Sequence, residues 1–343
     1  MTHKSRWLLL ALLAAPPASA QVPPSVNRST ATATPEHVLA NDNRAPAGTL
    51  RRGILAVRLE ARLAAWRPDL DVDSAVTVQA FAEEGGAPRI PGPLVRAREG
   101  TEVHVRLRNS LDSTLVVHGL RAGTVINDTL HVAAGAVREV RFRARVPGTY
   151  LYWGRTTEDS IHYRTRRDSQ LTGAIVIDPP GFRPNLAERI FVMTVIDVYQ
   201  DSVRNPAKED IWELAINGRS WPHTERLEYA VGDTVRWRWL NGTYLPHPMH
   251  LHGFHFRVLA KGDGDSDTTY VAGAERLAVT EFMVAGSTFR MDWVPTRSGN
   301  WLMHCHMIPH ITPYPERADT ARGHDVHHVE RHPLTAMAGL VLG

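Results

Sequence analysis

Short runs of alternating polar and apolar residues constrain the fold of this 343-residue chain more than any other feature. In residues 103–108 valine and leucine alternate with histidine and arginine, and in residues 235–239 valine and tryptophan alternate with arginine. Because successive side chains of a strand point to opposite faces, this period of two predicts half-buried strands. Long stretches with a helical period are absent. The chain is therefore predicted to be all-β and built as antiparallel Greek-key β-sandwiches.

An internal repeat indicates that there are two such sandwiches. Residues 99–109 match residues 231–241, with glycine aligned on glycine and asparagine on asparagine. Two copies of one fold explain this match. We place the first domain at residues 50–180 and the second at residues 187–343, on either side of a segment rich in proline and glycine.

The N-terminal segment has the features of a secretory signal peptide over residues 1–20. Lys4 and Arg6 precede an apolar stretch, and small residues at its end form a cleavage site. Residues 21–49, which are rich in proline, serine, threonine and alanine, are expected to be a flexible leader. No later segment reaches the roughly 20 apolar residues of a membrane span. We therefore expect a periplasmic or secreted protein without a membrane span.

Charge and cysteine content narrow the possible partners. Lys4 and Arg6 leave with the signal peptide, so the 39 basic residues become 37 against 36 acidic ones. A near-neutral chain without a basic cluster predicts no nucleic-acid partner. Cys305 is the only cysteine. In an exported protein a single thiol is buried and inert, links a dimer, or binds a metal.

The surroundings of the cysteine favour a metal. Six histidines and the cysteine lie within residues 247–252 and 304–310. On a strand, His304 and His306 would share one face while Cys305 points to the other. This arrangement predicts two metal sites back to back. One thiolate with two imidazoles suits a blue-copper site, and a cluster of imidazoles suits further copper. Structural zinc sites favour other ligand sets, with paired cysteines.

These two segments resemble the C-terminal copper motifs of the multicopper oxidases, and the two-domain length resembles that of the small bacterial laccases. Residues 91–93, Pro-Gly-Pro, are similar to the first domain of that family. The resemblance covers nearly all of residues 51–343. It implies cupredoxin-like domains, copper as cofactor, and transfer of electrons from a small-molecule or metal-ion reductant to oxygen. It also implies a homo-oligomer, since two-domain relatives build their copper cluster between subunits, usually of a trimer.

The resemblance implies two sets of copper ligands and a catalytic link between them. The type 1 copper, which receives the electrons, would be bound by His247, Cys305 and His310. The type 2 and type 3 coppers would be bound by His250, His252, His304 and His306, together with His118 of the first domain. His304, Cys305 and His306 would form the catalytic path between the two sites.

The axial ligand of the type 1 copper needs a separate interpretation. The position that the family uses for it is Pro315, which cannot bind a metal through its side chain. Residues 337–341, Met-Ala-Gly-Leu-Val, resemble the segment that contains the axial methionine. We therefore expect a histidine-rich insertion over about residues 313–334 and Met337 as a weak axial ligand.

The first domain departs from the family pattern at three of four histidine positions. His118 is present, but Val116, Trp153 and Arg155 occupy the other three. Three interpretations stay open. Another subunit or domain completes an oxygen-reducing cluster; the remaining histidines hold one or two coppers for redox chemistry, as in a nitrite reductase; or the protein only carries electrons or binds copper at the type 1 site.

Overall fold

A computed structural model of the chain describes residues 35–71, 74–121, 129–182, 188–198, 211–313 and 337–343. Residues 35–343 belong to one compact unit. The predicted signal peptide, the first part of the predicted leader and nearly all of the predicted histidine-rich insertion lie outside the described residues. Within the described ranges, no helix is both long and apolar enough to cross a membrane.

The described chain consists of short strands, with two 3₁₀ helices at Arg167–Gln170 and Ile308–His310. The strands of the first half are β1 Leu39–Ala40, β2 Thr49–Arg51, β3 Ile54–Trp66, β4 Val76–Glu83, β5 Arg89–Ile90, β6 Gly92–Arg98, β7 Glu102–Asn109, β8 Leu115–His118, β9 Thr129–Val132, β10 Val137–Arg143, β11 Gly148–Arg155 and β12 Thr172–Asp178. The strands of the second half are β13 Arg189–Val198, β14 Ile211–Ile216, β15 Val235–Asn241, β16 His247–Leu251, β17 Phe256–Gly262, β18 Asp267–Thr269, β19 Arg276–Ala278, β20 Thr280–Met283, β21 Thr288–Trp293, β22 Met303–Cys305 and β23 Val341–Leu342.

Each half forms a sandwich of two sheets. In the first half, a sheet of order β1-β5-β4-β3-β7-β10, with β2 on β3, packs against a sheet of order β6-β12-β11-β8-β9. In the second half, a sheet of order β14-β13-β15-β21-β17-β18, with β19 on β17, packs against a sheet of order β20-β16-β22-β23. The predicted all-β fold with two sandwiches is confirmed.

The alternating pattern produces the sandwich cores directly. Strands β15 and β21 pair with Trp237 opposite Met291 and Trp239 opposite Phe289. All four side chains are buried in the second core, and burying each such side chain stabilises the fold by roughly 1.5–3 kcal/mol. The same core contains Cys305, so the predicted metal-binding thiol points into the sandwich.

The polar residues of β15 do not all face solvent, because the outer side of the strand packs on the first sandwich. Arg238 is only 2% exposed. Its Nε donates to Oε1 of Glu188 at 2.8 Å, and its Nη1 donates to Oγ1 of Thr149 at 2.7 Å. Arg96 donates to Oε2 of the same glutamate and to Asp178, both at 2.8 Å. A buried, paired charge network therefore joins the two sandwiches.

Residues 35–49, expected to belong to a flexible leader, pack against the sandwiches instead. Strand β1 adds to the first sheet beside β5. The side-chain amide of Asn41 donates to the carbonyl oxygen of Pro91 at 3.1 Å, and that of Asn43 donates to the carbonyl oxygen of Ile190 at 3.2 Å. Polar side chains of this segment thus form buried hydrogen bonds with the sandwiches. The prediction of a flexible leader is therefore wrong for residues 35–49.

Candidate metal centre

Three side chains of the types that bind metal ions converge inside the second sandwich. His247 begins β16, Cys305 ends β22, and His310 lies in the 3₁₀ helix that follows. Sγ of Cys305 is 3.5 Å from Nδ1 of His247 and 3.4 Å from Nδ1 of His310. The two Nδ1 atoms are 3.1 Å apart, and all three residues are buried. The structure therefore brings together the three residues that the sequence selects for the type 1 copper.

A neighbouring hydroxyl determines the tautomer of His247. Oγ1 of Thr243 lies 2.8 Å from Oδ1 of Asn241 and 3.1 Å from the carbonyl oxygen of Leu245, both of which are acceptors only. The single hydroxyl hydrogen is used there, so the oxygen accepts Nε2–H of His247 at 2.8 Å. Nδ1 of His247 is then free of hydrogen and faces the thiol. Orientation of a metal-binding histidine through its other nitrogen is general in metal sites.

The repeated asparagine explains why the chain folds this way before His247. Nδ2 of Asn241 donates to the carbonyl oxygen of Leu245 at 2.8 Å, and its Oδ1 accepts the backbone N–H of Thr243 at 3.0 Å. Asn109 makes the equivalent pair of bonds in the first sandwich. Both asparagines hold the loop after the matching strand. The repeat is the sequence signal for this supporting role of Asn241, whereas Thr243 has no equivalent signal in the sequence.

Burial controls the protonation of His247, Cys305 and His310, which are called the trio below. It raises the pKa of the Cys305 thiol to about 11. It lowers the pKa of His310 and, with His310 as a neighbour, places the pKa of His247 well below its ordinary value. Near pH 7 the thiol and both imidazoles are thus neutral, and a metal cation would take the place of the thiol proton. One thiolate and two imidazoles whose Nδ1 atoms face the sulfur fit copper.

Four further histidines lie close together on the opposite side of the same sheet. His250 pairs with His304 across β16 and β22. The ring centroid of His250 is 5.1 Å from that of His252 and 5.1 Å from that of His306. Nε2 of His252 lies 2.8 Å from Nε2 of His304. His252 and His306 are exposed, so this cluster is open at the sheet surface.

Two of these four rings are held by hydrogen bonds through Nδ1. Nδ1 of His250 lies 2.9 Å from Oγ1 of Thr280, and Nδ1 of His304 donates to the carbonyl oxygen of Cys305 at 2.7 Å. Burial and the neighbouring histidines lower the pKa of both rings. Both are therefore neutral near pH 7 and present Nε2 for binding. Thr280, which the sequence analysis missed, has no motif that could reveal it.

The alternation along β22 separates the two groups of ligands, as the sequence predicts. Cys305 is fully buried and points towards His247 and His310 in the core, whereas His304 points to the opposite side of the sheet. The hydrogen bond from His304 to the Cys305 carbonyl connects the two sides directly. Any metals bound on the two faces would be linked through neighbouring residues of one strand.

His118 of the first sandwich has different surroundings. It pairs with Trp153 across β8 and β11, and Val116 pairs with Arg155, so the four positions of the predicted first-domain site are neighbours. The rings of His118 and Trp153 stack with centroids 4.0 Å apart. Among the described residues, no hydrogen bond or ring contact joins His118 to the histidine cluster of the second sandwich. Its assignment as a copper ligand stays a prediction.

The charges beside His118 oppose a cation. Burial, Arg155 and Arg164 lower the pKa of His118 to about 4. Arg164 is 1% exposed, lies 5.0 Å from the Trp153 ring centre, and donates to the carbonyl oxygen of Gly154 at 2.8 Å. His118, Trp153 and Arg164 therefore form a histidine–tryptophan–arginine stack, whose positive charge disfavours a bound cation. Arg164 could not be identified from the sequence, because an isolated arginine carries no local signal of burial.

The position of Met337 follows from backbone hydrogen bonds of the residues that come after it. The next residue, Ala338, donates its N–H to the carbonyl oxygen of Ile311 at 2.9 Å, and Leu340 donates to the carbonyl oxygen of His310 at 3.1 Å. The segment thus runs beside the His310 helix. The methionine itself lines a cavity that Met303 also lines. Axial ligation by Met337 stays a prediction.

Comparison with known proteins gives consistent matches. Multicopper oxidase family models match residues 84–181 and 194–313. A probable nitrite reductase-hydroxylamine oxidoreductase fusion protein of Kuenenia stuttgartiensis is 26% identical over 248 residues, which cover 67% of this chain and 27% of that protein. A laccase of Cryphonectria parasitica is 29% identical over 124 residues, covering 30% of this chain and 21% of the laccase. The chain thus spans about a quarter of the length of these curated relatives.

Solved structures support the fold. A blue copper oxidase from Nitrosomonas europaea superposes with a TM-score of 0.61 at 19% identity, covering 84% of each chain. This similarity confirms the predicted cupredoxin-like sandwiches.

Proposed function

Because this chain belongs to the multicopper oxidase family, whose cofactor is copper, we propose that it transfers electrons from a small-molecule or metal-ion reductant to oxygen. One observation carries the proposal. The buried trio of His247, Cys305 and His310 lies on one face of a sheet whose other face presents four clustered histidines. We also propose, from the N-terminal pattern, that the protein acts in the periplasm or outside the cell.

In this proposal the two faces have separate roles. His247, Cys305 and His310, together with Met337, would hold a type 1 copper, which would supply one-electron redox chemistry. Cys305 and the two histidines beside it provide the path between the faces, since they are consecutive residues. Thr243 and Asn241 keep His247 in the binding orientation without taking part in electron transfer.

The open cluster is proposed to bind the copper at which oxygen is reduced. It comprises His250, His252, His304 and His306, and it is completed by another subunit or domain. If the other subunit is a second copy of this chain, its His118 would be the added ligand. We therefore propose a homo-oligomer such as a trimer. However, His118 lies beside Trp153 and two arginines, so a homo-oligomer would assemble an unusual site.

A nitrite-reductase-like enzyme is the second candidate. Two observations favour it. The Kuenenia match extends over 67% of this chain. The first-domain positions at Val116, Trp153 and Arg155 also supply no imidazole, which favours a smaller copper site than a complete oxygen-reducing cluster. A pure electron carrier or copper-binding protein would use only the buried trio.

Copper content and turnover distinguish these functions. We expect the copper-loaded protein to contain more than one copper per chain and to consume oxygen with a phenolic donor or cuprous ion. Nitrite reduction without oxygen uptake would select the second candidate. One copper per chain, with neither activity, would overturn both enzyme proposals and leave an electron carrier.

Thr243 provides a test of the type 1 site that does not alter a ligand. In Thr243→Val, Nε2–H of His247 loses its acceptor and the ring loses its fixed tautomer. Loss of such a supporting contact typically lowers metal affinity about 10–100-fold. Copper affinity is measured by competition with a chelator, using the blue absorption as readout. Thr243→Ser, which keeps the hydroxyl, should retain the affinity. Equal affinities for the two variants would contradict the role of the hydroxyl.

A further inference from the structure

A second group of metal-binding side chains lies where the two sandwiches meet. Asp69 and Asp71 follow β3 of the first sandwich, and His223 follows β14 of the second. One donor atom from each of the three residues lies within 4.8 Å of the other two. None of them belongs to the copper motifs, and the proposed oxidase function does not use them.

The distances within this group fit a shared ion better than a hydrogen bond. Nε2 of His223 is 3.4 Å from Oδ1 of Asp69 and 3.3 Å from Oδ2 of Asp71. The same Nε2 is inaccessible to solvent and makes no hydrogen bond. Two donor atoms, each about 2.1 Å from a tetrahedral ion, lie about 3.4 Å apart. A buried polar atom without a hydrogen bond calls for a partner, and the two carboxylates converge on it.

The backbone around the group is held independently of any ion. Nε1 of Trp66 donates to the carbonyl oxygen of Gly218 at 3.0 Å. The N–H of Ser220 donates to the carbonyl oxygen of Pro68 at 3.0 Å, and the N–H of His223 donates to the Ser220 carbonyl oxygen at 2.8 Å. These bonds join the loop of the aspartates to the loop of the histidine. The three side chains are thus presented by two loops that are already docked.

We propose that Asp69, Asp71 and His223 bind a divalent transition-metal ion, specifically zinc, that links the two sandwiches. Two carboxylates balance the charge of the ion, and an imidazole with carboxylate oxygens is a ligand set that zinc accepts. The Asp71 side chain is 60% exposed, which gives the ion access from solvent and leaves room for water as fourth ligand. Because each sandwich supplies ligands, bound zinc stabilises the folded chain against unfolding.

The test is a zinc titration of the copper-loaded full chain by calorimetry, together with thermal unfolding. We expect His223→Gln to bind one zinc per chain fewer than the unaltered protein. The rise in Tm caused by saturating zinc should be at least about 3 °C larger for the unaltered protein than for the variant. Asp71→Asn, which changes an exposed side chain, should weaken the same zinc equivalent. The blue absorption should be unchanged in both variants, so the result is independent of the oxidase proposal.

The matched control is His162→Gln, which removes an exposed imidazole elsewhere and should leave the zinc stoichiometry unaltered. Comparison of Tm values without zinc shows whether a variant is folded. Equal zinc binding and equal zinc-dependent Tm gains in the unaltered protein and in both site variants would overturn the proposal. His223 would then be an ordinary ion-pair partner of the two aspartates.

Discussion

Replacement of Cys305 by serine is expected to abolish the intense blue absorption and to remove one copper per chain. The absorption arises from a copper–thiolate bond, and the serine hydroxyl stays protonated in a buried apolar site. The supporting hydrogen bonds of a metal site are each worth about 10–100-fold in affinity, so loss of the thiolate itself should cost at least about 100-fold. Oxidation of the donor should fall by at least the same factor, because the reductant would lose the copper that accepts its electrons.

The contrasting variant is His252→Gln, which alters the exposed cluster on the other face of the sheet. It should keep the blue absorption while losing oxygen uptake. Copper content, absorption spectra and oxygen uptake are measured for both variants. Because Cys305 is fully buried in the core, the Tm values of the copper-free proteins show whether each variant is folded. A folded Cys305→Ser protein with unchanged blue absorption would refute the type 1 assignment.

Glu188→Gln is expected to lower the free energy of unfolding by about 3–5 kcal/mol, the range for breaking one partner out of a buried charge network. The Glu188 side chain is 3% exposed and accepts from Arg238, which is 2% exposed, and from Arg96. The glutamine has the same shape but no charge. Arg96 would keep its ion pair with Asp178, whereas Arg238 would lose the carboxylate that its Nε pairs with at the interface of the sandwiches. Urea unfolding at pH 7 measures the difference.

The same variant should change the acid dependence of stability. Burial alone would raise the pKa of Glu188, but Arg238 and Arg96 together hold it below the ordinary value of 4.5. For a carboxyl group with a lowered folded-state pKa, the stabilisation is present above the unfolded value and is lost as pH falls through the folded value. The protein should therefore lose this contribution below about pH 4.5. The free energy of unfolding of Glu188→Gln should fall less over the same pH range, because the glutamine does not titrate.

Glu139→Gln is the control for Glu188→Gln. Glu139 pairs with Arg141 at 3.8 Å on the surface, where the two side chains are 57% and 64% exposed. Exposed ion pairs contribute about 0–1 kcal/mol. The free energy of unfolding of the control should therefore lie within about 1 kcal/mol of that of the unaltered protein. Similar losses in the two variants would show that the Glu188 network does not stabilise the interface.

Local patterns in the sequence were sufficient for the fold class and for the placing of His304 and Cys305, two candidate metal ligands, on opposite faces of one strand. The period of two along residues 235–239 places Trp237 and Trp239 in one core, and the same period along His304 and Cys305 sends their side chains to opposite faces of β22. Both predictions depend only on the geometry of a single strand, which is the same wherever that strand packs. The repeated asparagines likewise mark equivalent loops in the two sandwiches.

The sequence by itself therefore determined an all-β chain with two sandwiches and a strand that directs His304 and Cys305, two candidate metal ligands, to opposite faces. Only the tertiary structure decided that Arg238 is buried, that residues 35–49 pack against the sandwiches, and that Asp69 and Asp71 meet His223. Each of these depends on contacts between segments far apart in the chain. Strand periodicity describes which residues share a face, whereas the packing of one sandwich on the other determines what that face meets.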